Sequence, residues 1–228
     1  MSRIVGLIPA RDEARRVAAT VRAVRALVQE VVVVDDGSKD ATVAEALGAG
    51  AAVLRIRDPG GKGRAVEGAL HRLPPADVWL LADADLGESA SGLQDLLEEV
   101  TAGRADLAIA AFPSQAGGGF GIVKRVAGDA IYQLSGFRTR EPLSGQRAIT
   151  RECLDAVRPL ASGFGLETAM TIDAVRGGFR VREISIDGLT HRPTGRGPRG
   201  FLHRGRQGWD ILRAVLRRTL PRRAVRRA

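Results

Sequence analysis

Continuous apolar runs that end in turn residues alternate along this chain with segments whose apolar positions recur every three or four residues. The run VVVV at 31–34, closed by Asp35, Asp36, Gly37 and Ser38, has no polar position between its valines, so it suits a strand covered on both faces. RIVGLIPA near the start, AAVLRI at 51–56, DVWLLADAD at 77–85, ADLAIAAF at 105–112 and RVREISI at 180–186 read as further strands. EPLSGQRAIT reads as a turn entering a short strand. Helical spacing fills the intervals. It marks an Ala-, Val- and Arg-rich segment to about residue 28, ATVAEALGAG closing on Gly48 or Gly50, and GKGRAVEGALHRL entered through glycines. It continues in SGLQDLLEEVTAG with Ser91 as a cap, GIVKRVAGDAIYQLSGF, TRECLDAV beginning at Thr150, and GLETAMTIDAVRGGF stopping at Gly177 and Gly178. The alternation predicts an α/β fold with a mostly parallel, Rossmann-like central sheet flanked by helices.

Size and charge narrow the picture. A chain of 228 residues can bury one large core and shows no seam for a second, so the expected layout is one domain over 1–205 and a basic amphipathic tail over 206–228. No run approaches the roughly 20 apolar residues of a membrane span. The opening SRIVGLIPARDEARR is too short and too soon charged for a secretory signal, so a cytoplasmic location is the expectation. Cys153, the single cysteine, has no partner for an internal disulfide and is expected to pack in the core. The formal net charge of +9 predicts attraction to polyanions, and much of it lies after Arg192.

In open α/β sheets ligands sit beyond the carboxyl ends of the strands. Asp35 and Asp36 stand at one such end, and Asp83 and Asp85 at another. The i, i+2 spacing on the strand turns Asp83 and Asp85 to one face, where both can reach one ligand. Mg²⁺ or Mn²⁺ with a nucleotide diphosphate fits, since these ions take one or two carboxylates and fill other positions with phosphate oxygens. Lys62 lies among glycines in GGKGR at a helix entrance, a setting for phosphate. GGKGR lacks the spacing and the Ser/Thr of a Walker A loop, and GAGAAV closes a helix rather than following a strand, so neither is a nucleotide fingerprint.

IPARDE at 8–13, VVVVDDGSKDAT at 31–42, GKGRA around Lys62 and LLADADL at 80–86 resemble, in order and spacing, the signatures of family 2 glycosyltransferases of the GT-A fold. LSGQRAI and GFGLETAMTIDAVRGGFRVREISI are similar to the second half of the polyprenyl-phosphate sugar synthases. The resemblance implies a nucleotide diphosphate sugar donor with a UDP or GDP carrier. It implies that Pro9, Ala10 and Glu13 border the base, that Asp35 recognises base or ribose, and that Lys62 faces the diphosphate. It places Asp83 at ribose or metal, Asp85 at the metal and Arg147 near phosphate. Asp12 stands where such enzymes usually carry Asn, and Glu141 where the lipid-phosphate branch more often has Asp. His191, in THRPTGR, resembles the metal-binding histidine of glucosyl-3-phosphoglycerate synthases, and its alternative is a surface loop histidine. Family 2 implies inversion at the anomeric carbon and the phosphoglycerate branch retention.

The acceptor decides what else is needed. A hydroxyl acceptor needs a general base, for which Glu141, Glu167 and Asp129 are the candidates, whereas a phosphate monoester is already ionised near neutral pH. Polyprenyl phosphate is the favoured acceptor, with a small phosphorylated acid such as 3-phosphoglycerate as the alternative. Trp209, Leu212, Val215, Leu216 and Leu220 recur at helical spacing beside Arg213, Arg217 and Arg218. That pattern suits an anionic membrane face, a stripe packed on the domain, or a homodimer. The loop SQAGGGFG and the arginines 192–206 are candidate lids. Nucleic acid is not an expected partner: aromatic residues are 4% of the chain and no base-reading motif is present.

Overall fold

The computed structural model describes residues 2–56, 60–112, 121–189, 209–210 and 212–219. Among the described residues seven strands form one sheet: β1 (Ile4–Ala10), β2 (Glu30–Asp35), β3 (Ala52–Arg55), β4 (Val78–Leu81), β5 (Leu107–Ala111), β6 (Arg147–Thr150) and β7 (Val181–Ser185). Their order is β3-β2-β1-β4-β6-β5-β7. All neighbours run parallel except β6, which is antiparallel to both β4 and β5. The helices are α1 (Val17–Arg25), α2 (Thr42–Gly48), α3 (Lys62–Leu70), α4 (Gln94–Thr101), α5 (Gly121–Ser135), α6 (Arg151–Val157) and α7 (Leu166–Arg176). Residues 209–210 and 212–219 are helical and form α8.

The valine run is buried on both sides. Val31 and Val33 enter the core on one face of the sheet and Val32 and Val34 the core on the other. Val78 and Leu80 of β4 likewise face one core, Trp79 and Leu81 the other. A two-residue side-chain period with helices on both faces requires this division. Cys153 is buried, and burial pushes its thiol up to about 12, as expected of a packing residue. The Thr150 side chain caps α6 by accepting from the Cys153 N–H at 3.2 Å.

Two expectations are corrected. The strand read through Asp85 stops at Leu81, so Asp83 lies just before a turn and Asp85 in it, and not at alternate positions on a strand face. The ladder is replaced by a side chain: Thr20 of α1 donates from Oγ1 to the Ala84 carbonyl at 2.9 Å and accepts the Gly87 N–H at 2.8 Å. Ser91 does not cap a helix; it lies inside a 3-10 turn (Gly87–Leu93) and donates to the Glu88 carbonyl.

The packed face of α8 is not its apolar stripe. A methyl at Gly165 would stand 2.6 Å from Ala214 Cβ and 2.8 Å from the Asp210 carbonyl oxygen, so α8 rests directly on the glycines before α7. Arg218 Nε donates to Asp173 Oδ2 at 2.9 Å in a pair of which neither side chain exceeds 6% exposure. Trp209, Leu212 and Leu216 remain 65%, 46% and 56% exposed. Among the described residues no helix is long and apolar enough to cross a membrane.

Removing one partner of a buried ion pair strands the other charge, so Asp173→Ala is expected to cost about 3–5 kcal/mol in urea unfolding. The double change Asp173→Leu with Arg218→Met is expected to recover most of that loss.

Candidate active site

The carboxyl ends of β1, β2 and β4 carry most of the residues singled out by the sequence. Asp36 continues the line of β2, held by its N–H to the Ala10 carbonyl at 3.0 Å. Its carboxylate accepts the N–H groups of Gly60 and Gly61 at 3.0 and 2.9 Å. The glycine entrance of α3 therefore binds an internal carboxylate with these two N–H groups, and Asp36 fixes where Lys62 begins the helix. Gly61 has φ +84°, a conformation that glycine adopts without a Cβ penalty.

Lys62 Nζ lies 2.6 Å from Asp83 Oδ1 and 2.8 Å from Glu167 Oε1, joining the start of α3, the turn after β4 and the first turn of α7. Burial alone would push the ammonium toward its neutral form, but the two carboxylates outweigh it and hold Lys62 above its ordinary value. Gln146 Nε2 donates to Asp83 Oδ2 at 2.6 Å, so both oxygens of Asp83 are engaged. The approach is close: a methyl at 145 would stand 2.2 Å from Lys62 Nζ and 2.7 Å from each Asp83 oxygen, so a side chain there would displace the ends of both. Glu167 was read only as one of three alternative bases; the structure brings it into this cluster. Gln146, Gly145 and Thr20 were not singled out by the sequence reading.

Around the cluster the loops are tied side chain to backbone. Asp12 has φ +55°, in the left-handed region that Asn and Asp tolerate, and its Oδ1 accepts the Lys39 N–H at 2.7 Å. A carboxylate oxygen here does what an amide oxygen would do. The Glu13 N–H donates to Thr42 Oγ1 at 2.8 Å, and Asp35 Oδ1 accepts the Ser38 N–H at 3.0 Å. Pro9 and Ala10 pair in register with Val34 and Asp35 at the carboxyl ends of β1 and β2, beside these loops. Asp85 sits in the turn held by Thr20, and its carbonyl accepts from Arg16 Nη1 at 3.0 Å.

Arg147 is 1% exposed and points into the protein: Nε donates to the Ser144 carbonyl at 2.8 Å and Nη1 to Thr171 Oγ1 at 3.0 Å. Burial pushes it down to about 10, opposed by Glu167, Glu183 and Asp83. It braces the Ser144–Gly145–Gln146 turn from behind. Glu141 begins that turn, accepting the Ser144 N–H on its carbonyl, while its carboxylate pairs with Lys124 Nζ at 2.6 Å. Beside it a cavity of about 350 Å³ is lined by Lys124, Arg125, Asp129, Tyr132, Arg138 and Arg140, among others. Arg138 is stacked over the Tyr132 ring at 4.3 Å. His191 and both candidate lids lie outside the described residues, apart from Gly121 at the end of the first, which opens α5. Among the described residues no three His, Cys, Asp or Glu side chains form a preformed metal cage.

The sequence profile of Glycosyl transferase family 2 matches residues 7–156. The chain is 31% identical over 154 residues to Glycosyltransferase AglJ of Haloferax volcanii, covering 66% of this chain and 50% of that protein. It is 28% identical over 205 residues to Glycosyltransferase AglD of the same organism, covering 79% of this chain and 32% of that one. The chain thus spans half the length of one of these relatives and about a third of the other. The fold is similar to glucosyl-3-phosphoglycerate synthase from Mycobacterium tuberculosis solved with Mg²⁺ and UDP: TM-score 0.81, 24% identity, 97% of this chain and 81% of that one. The same enzyme with Mn²⁺, UDP-glucose and phosphoglyceric acid gives TM-score 0.80 at 23% identity, with 97% and 81% coverage. The architecture is the GT-A fold expected from the sequence.

Thr20→Val keeps the side-chain shape but leaves the Ala84 carbonyl and Gly87 N–H without their partner. A loss of about 1–3 kcal/mol in urea unfolding is expected, with Thr20→Ser restoring most of it.

Proposed function

Since the chain belongs to glycosyl transferase family 2, we propose that it moves a sugar from a UDP- or GDP-sugar to a phosphate-bearing acceptor, polyprenyl phosphate, with Mg²⁺ or Mn²⁺ bound. The observation that carries the donor half is the Lys62 ammonium between Asp83 and Glu167 at the carboxyl ends of the strands. In transfer, the bond from the anomeric carbon to the diphosphate oxygen breaks and one to an acceptor oxygen forms, leaving the nucleotide diphosphate with the electron pair. Stabilising that leaving charge is the main electrostatic task. Lys62 supplies a fixed cation for it, and Asp83 and Asp85, with His191 as third ligand, would hold the ion. A divalent cation bound there would add Lewis-acid stabilisation of the diphosphate. The carboxylates present fit it, because such ions use one or two carboxylates and take substrate phosphates for the rest, without a dedicated cage. Pro9, Ala10, Glu13 and Asp35 border the base and ribose, and Arg147 serves by positioning the Gly145–Gln146 turn.

The cavity beside Glu141 supports a phosphate-bearing acceptor. It lies beyond β7, where Arg140 Nη2 donates to Ser185 Oγ at 3.2 Å; of the four cationic side chains that line it, Lys124 is paired with Glu141 and Arg140 with Glu183, and Arg125 and Arg138 stand beside Asp129. Guanidinium groups favour phosphate through paired, charge-assisted hydrogen bonds. Glu141 and Glu167 are each engaged by a lysine and Asp129 lines the cavity wall; an ionised phosphate needs none of them to remove a proton. A polyprenyl chain is held in a bilayer, so this acceptor requires the protein to reach a membrane face. A second reading, transfer to a small acid such as 3-phosphoglycerate, is supported by the fold likeness to the phosphoglycerate enzyme. A cavity near the small end of ligand-site volumes suits it too.

Nucleotide release is to be measured with Mn²⁺ and a panel of UDP- and GDP-sugars, adding polyprenyl phosphate or 3-phosphoglycerate in parallel. Stimulation by the lipid is expected; stimulation only by the small acid establishes the second reading, and no release from any donor overturns both. Asp85→Ala is expected to lower the rate about 10²–10³-fold without lowering the unfolding temperature. His191→Ala is expected to raise the Mn²⁺ concentration needed for half the maximal rate, and an unchanged titration would remove it from the metal site.

A further inference from the structure

Two helices leave the edge of the site, one on each side of α7. α8 starts against Gly163 and Gly165, where a methyl on Gly163 would stand 2.1 Å from Asp210 Oδ2, and Gly163 Cα lies 3.9 Å from the Cβ position of Gly61, next to Lys62. α5 starts beside the turn that leads to Gly145, through Lys124 and Glu141. Both end against Arg176 at the far end of α7: its Nε donates to the Leu134 carbonyl at 2.7 Å and its Nη1 to the Arg218 carbonyl at 2.6 Å. α7, which carries Glu167 in its first turn, lies between them.

Each outer helix shows solvent an apolar stripe. Ile122 and Val126, at i, i+4 on α5, are 76% and 54% exposed; Trp209, Leu212 and Leu216, at i, i+3, i+7 on α8, are the most exposed apolar residues of that helix. The stripes are bordered by arginines. Arg125, Arg213 and Arg217 are exposed, and none pairs with a carboxylate among the described residues. The tail that follows α8, PRRAVRRA, adds four more arginines.

We propose that the outward faces of α5 and α8 form a docking surface for an anionic bilayer, oriented so that the site opens at the membrane face. Apolar side chains with a tryptophan and a rim of arginine are the composition of a helix lying in the interface plane. Charge chooses the partner. A second copy would bring the same arginines, on a chain of net charge +9, against themselves, and like-charge juxtaposition opposes that contact. An anionic leaflet instead attracts every one of them. The purpose of the surface, delivering a lipid-borne acceptor to the site, rests on the transferase reading; the docking does not.

The test is flotation of the full chain with vesicles of phosphatidylcholine alone or with one third phosphatidylglycerol. Binding is expected only with the anionic lipid and is expected to weaken as salt rises. Arg213→Gln with Arg217→Gln is expected to lower the partition coefficient on the order of tenfold. Trp209→Ser, Leu212→Ser and Leu216→Ser together are expected to lower it further, and Ile122→Ser with Val126→Ser to weaken it independently. UDP and GDP binding with Mn²⁺ serves as the control for folding and is expected to be unchanged in all these variants. Equal binding to both vesicle types, no binding to either, or a dimer in light scattering that the serine variant of α8 dissociates would each overturn the docking surface. Failure of the donor panel with vesicle binding intact would instead count against the transferase reading alone.

Discussion

The ammonium of Lys62 between the carboxylates of Asp83 and Glu167 is the interaction on which the arrangement of this molecule turns. It joins three elements that approach from different directions: the entrance of α3, the turn after β4 and the start of α7. Each approach has its own support. Asp36 fixes the α3 entrance through two glycine N–H groups, Thr20 fixes the turn after β4, and α3 packs so tightly on the segment before α7 that a methyl at Gly63 would lie 2.1 Å from the Ala161 carbonyl oxygen. Lys62 and Asp83 are partly exposed and Glu167 is buried, so the cluster sits at the rim of the core, and the buried carboxylate is tolerable because it is paired.

The same pairing gives the site a division of labour. On the side of β1, β2 and β4 stand the carboxylates and the lysine that we propose take the nucleotide diphosphate and its cation. On the side of β5 and β7, Glu183 accepts the Arg140 and Glu141 N–H groups at 2.8 and 3.0 Å and so holds the loop that lines the cationic cavity. The antiparallel β6, running between the two halves, begins at Arg147 with Gly145 and Gln146 immediately before it. That strand reversal brings the turn from the cavity to the Lys62 cluster within a few residues.

Much of the layout was legible along the chain. All seven strands overlap the apolar runs that predict them, β4 ending at Leu81 instead of Asp85, and the Val31–Val34 run divides between two cores as a strand buried on both faces must. The places where the pattern misled are polar. The D-x-D segment read as strand because Ala82 and Ala84 are apolar and buried, yet it leads into a turn, since Thr20 satisfies its backbone groups from another element. Of the roles that the apolar stripe of α8 leaves open, packing on the domain is the one not seen: the stripe is exposed, while the small Ala214 and the ion-paired Arg218 make the contact.

Local periodicity reports how much of a residue is buried, and adjacency at the end of a buried strand reports where a ligand can sit; both are properties of a few consecutive residues. The sequence by itself therefore determined the α/β alternation, the two-sided burial of the sheet and the positions of Asp35, Asp36, Asp83 and Asp85 at its carboxyl edge. Partners across 21 or 63 residues, such as Lys62 or Gln146 with Asp83, depend on the strand order and on how closely backbones approach, which no local pattern encodes. Only the tertiary structure decided that Glu167 joins Lys62 and Gln146 joins Asp83, that Arg147 turns inward, and that Gly145 lies against the Lys62–Asp83 pair.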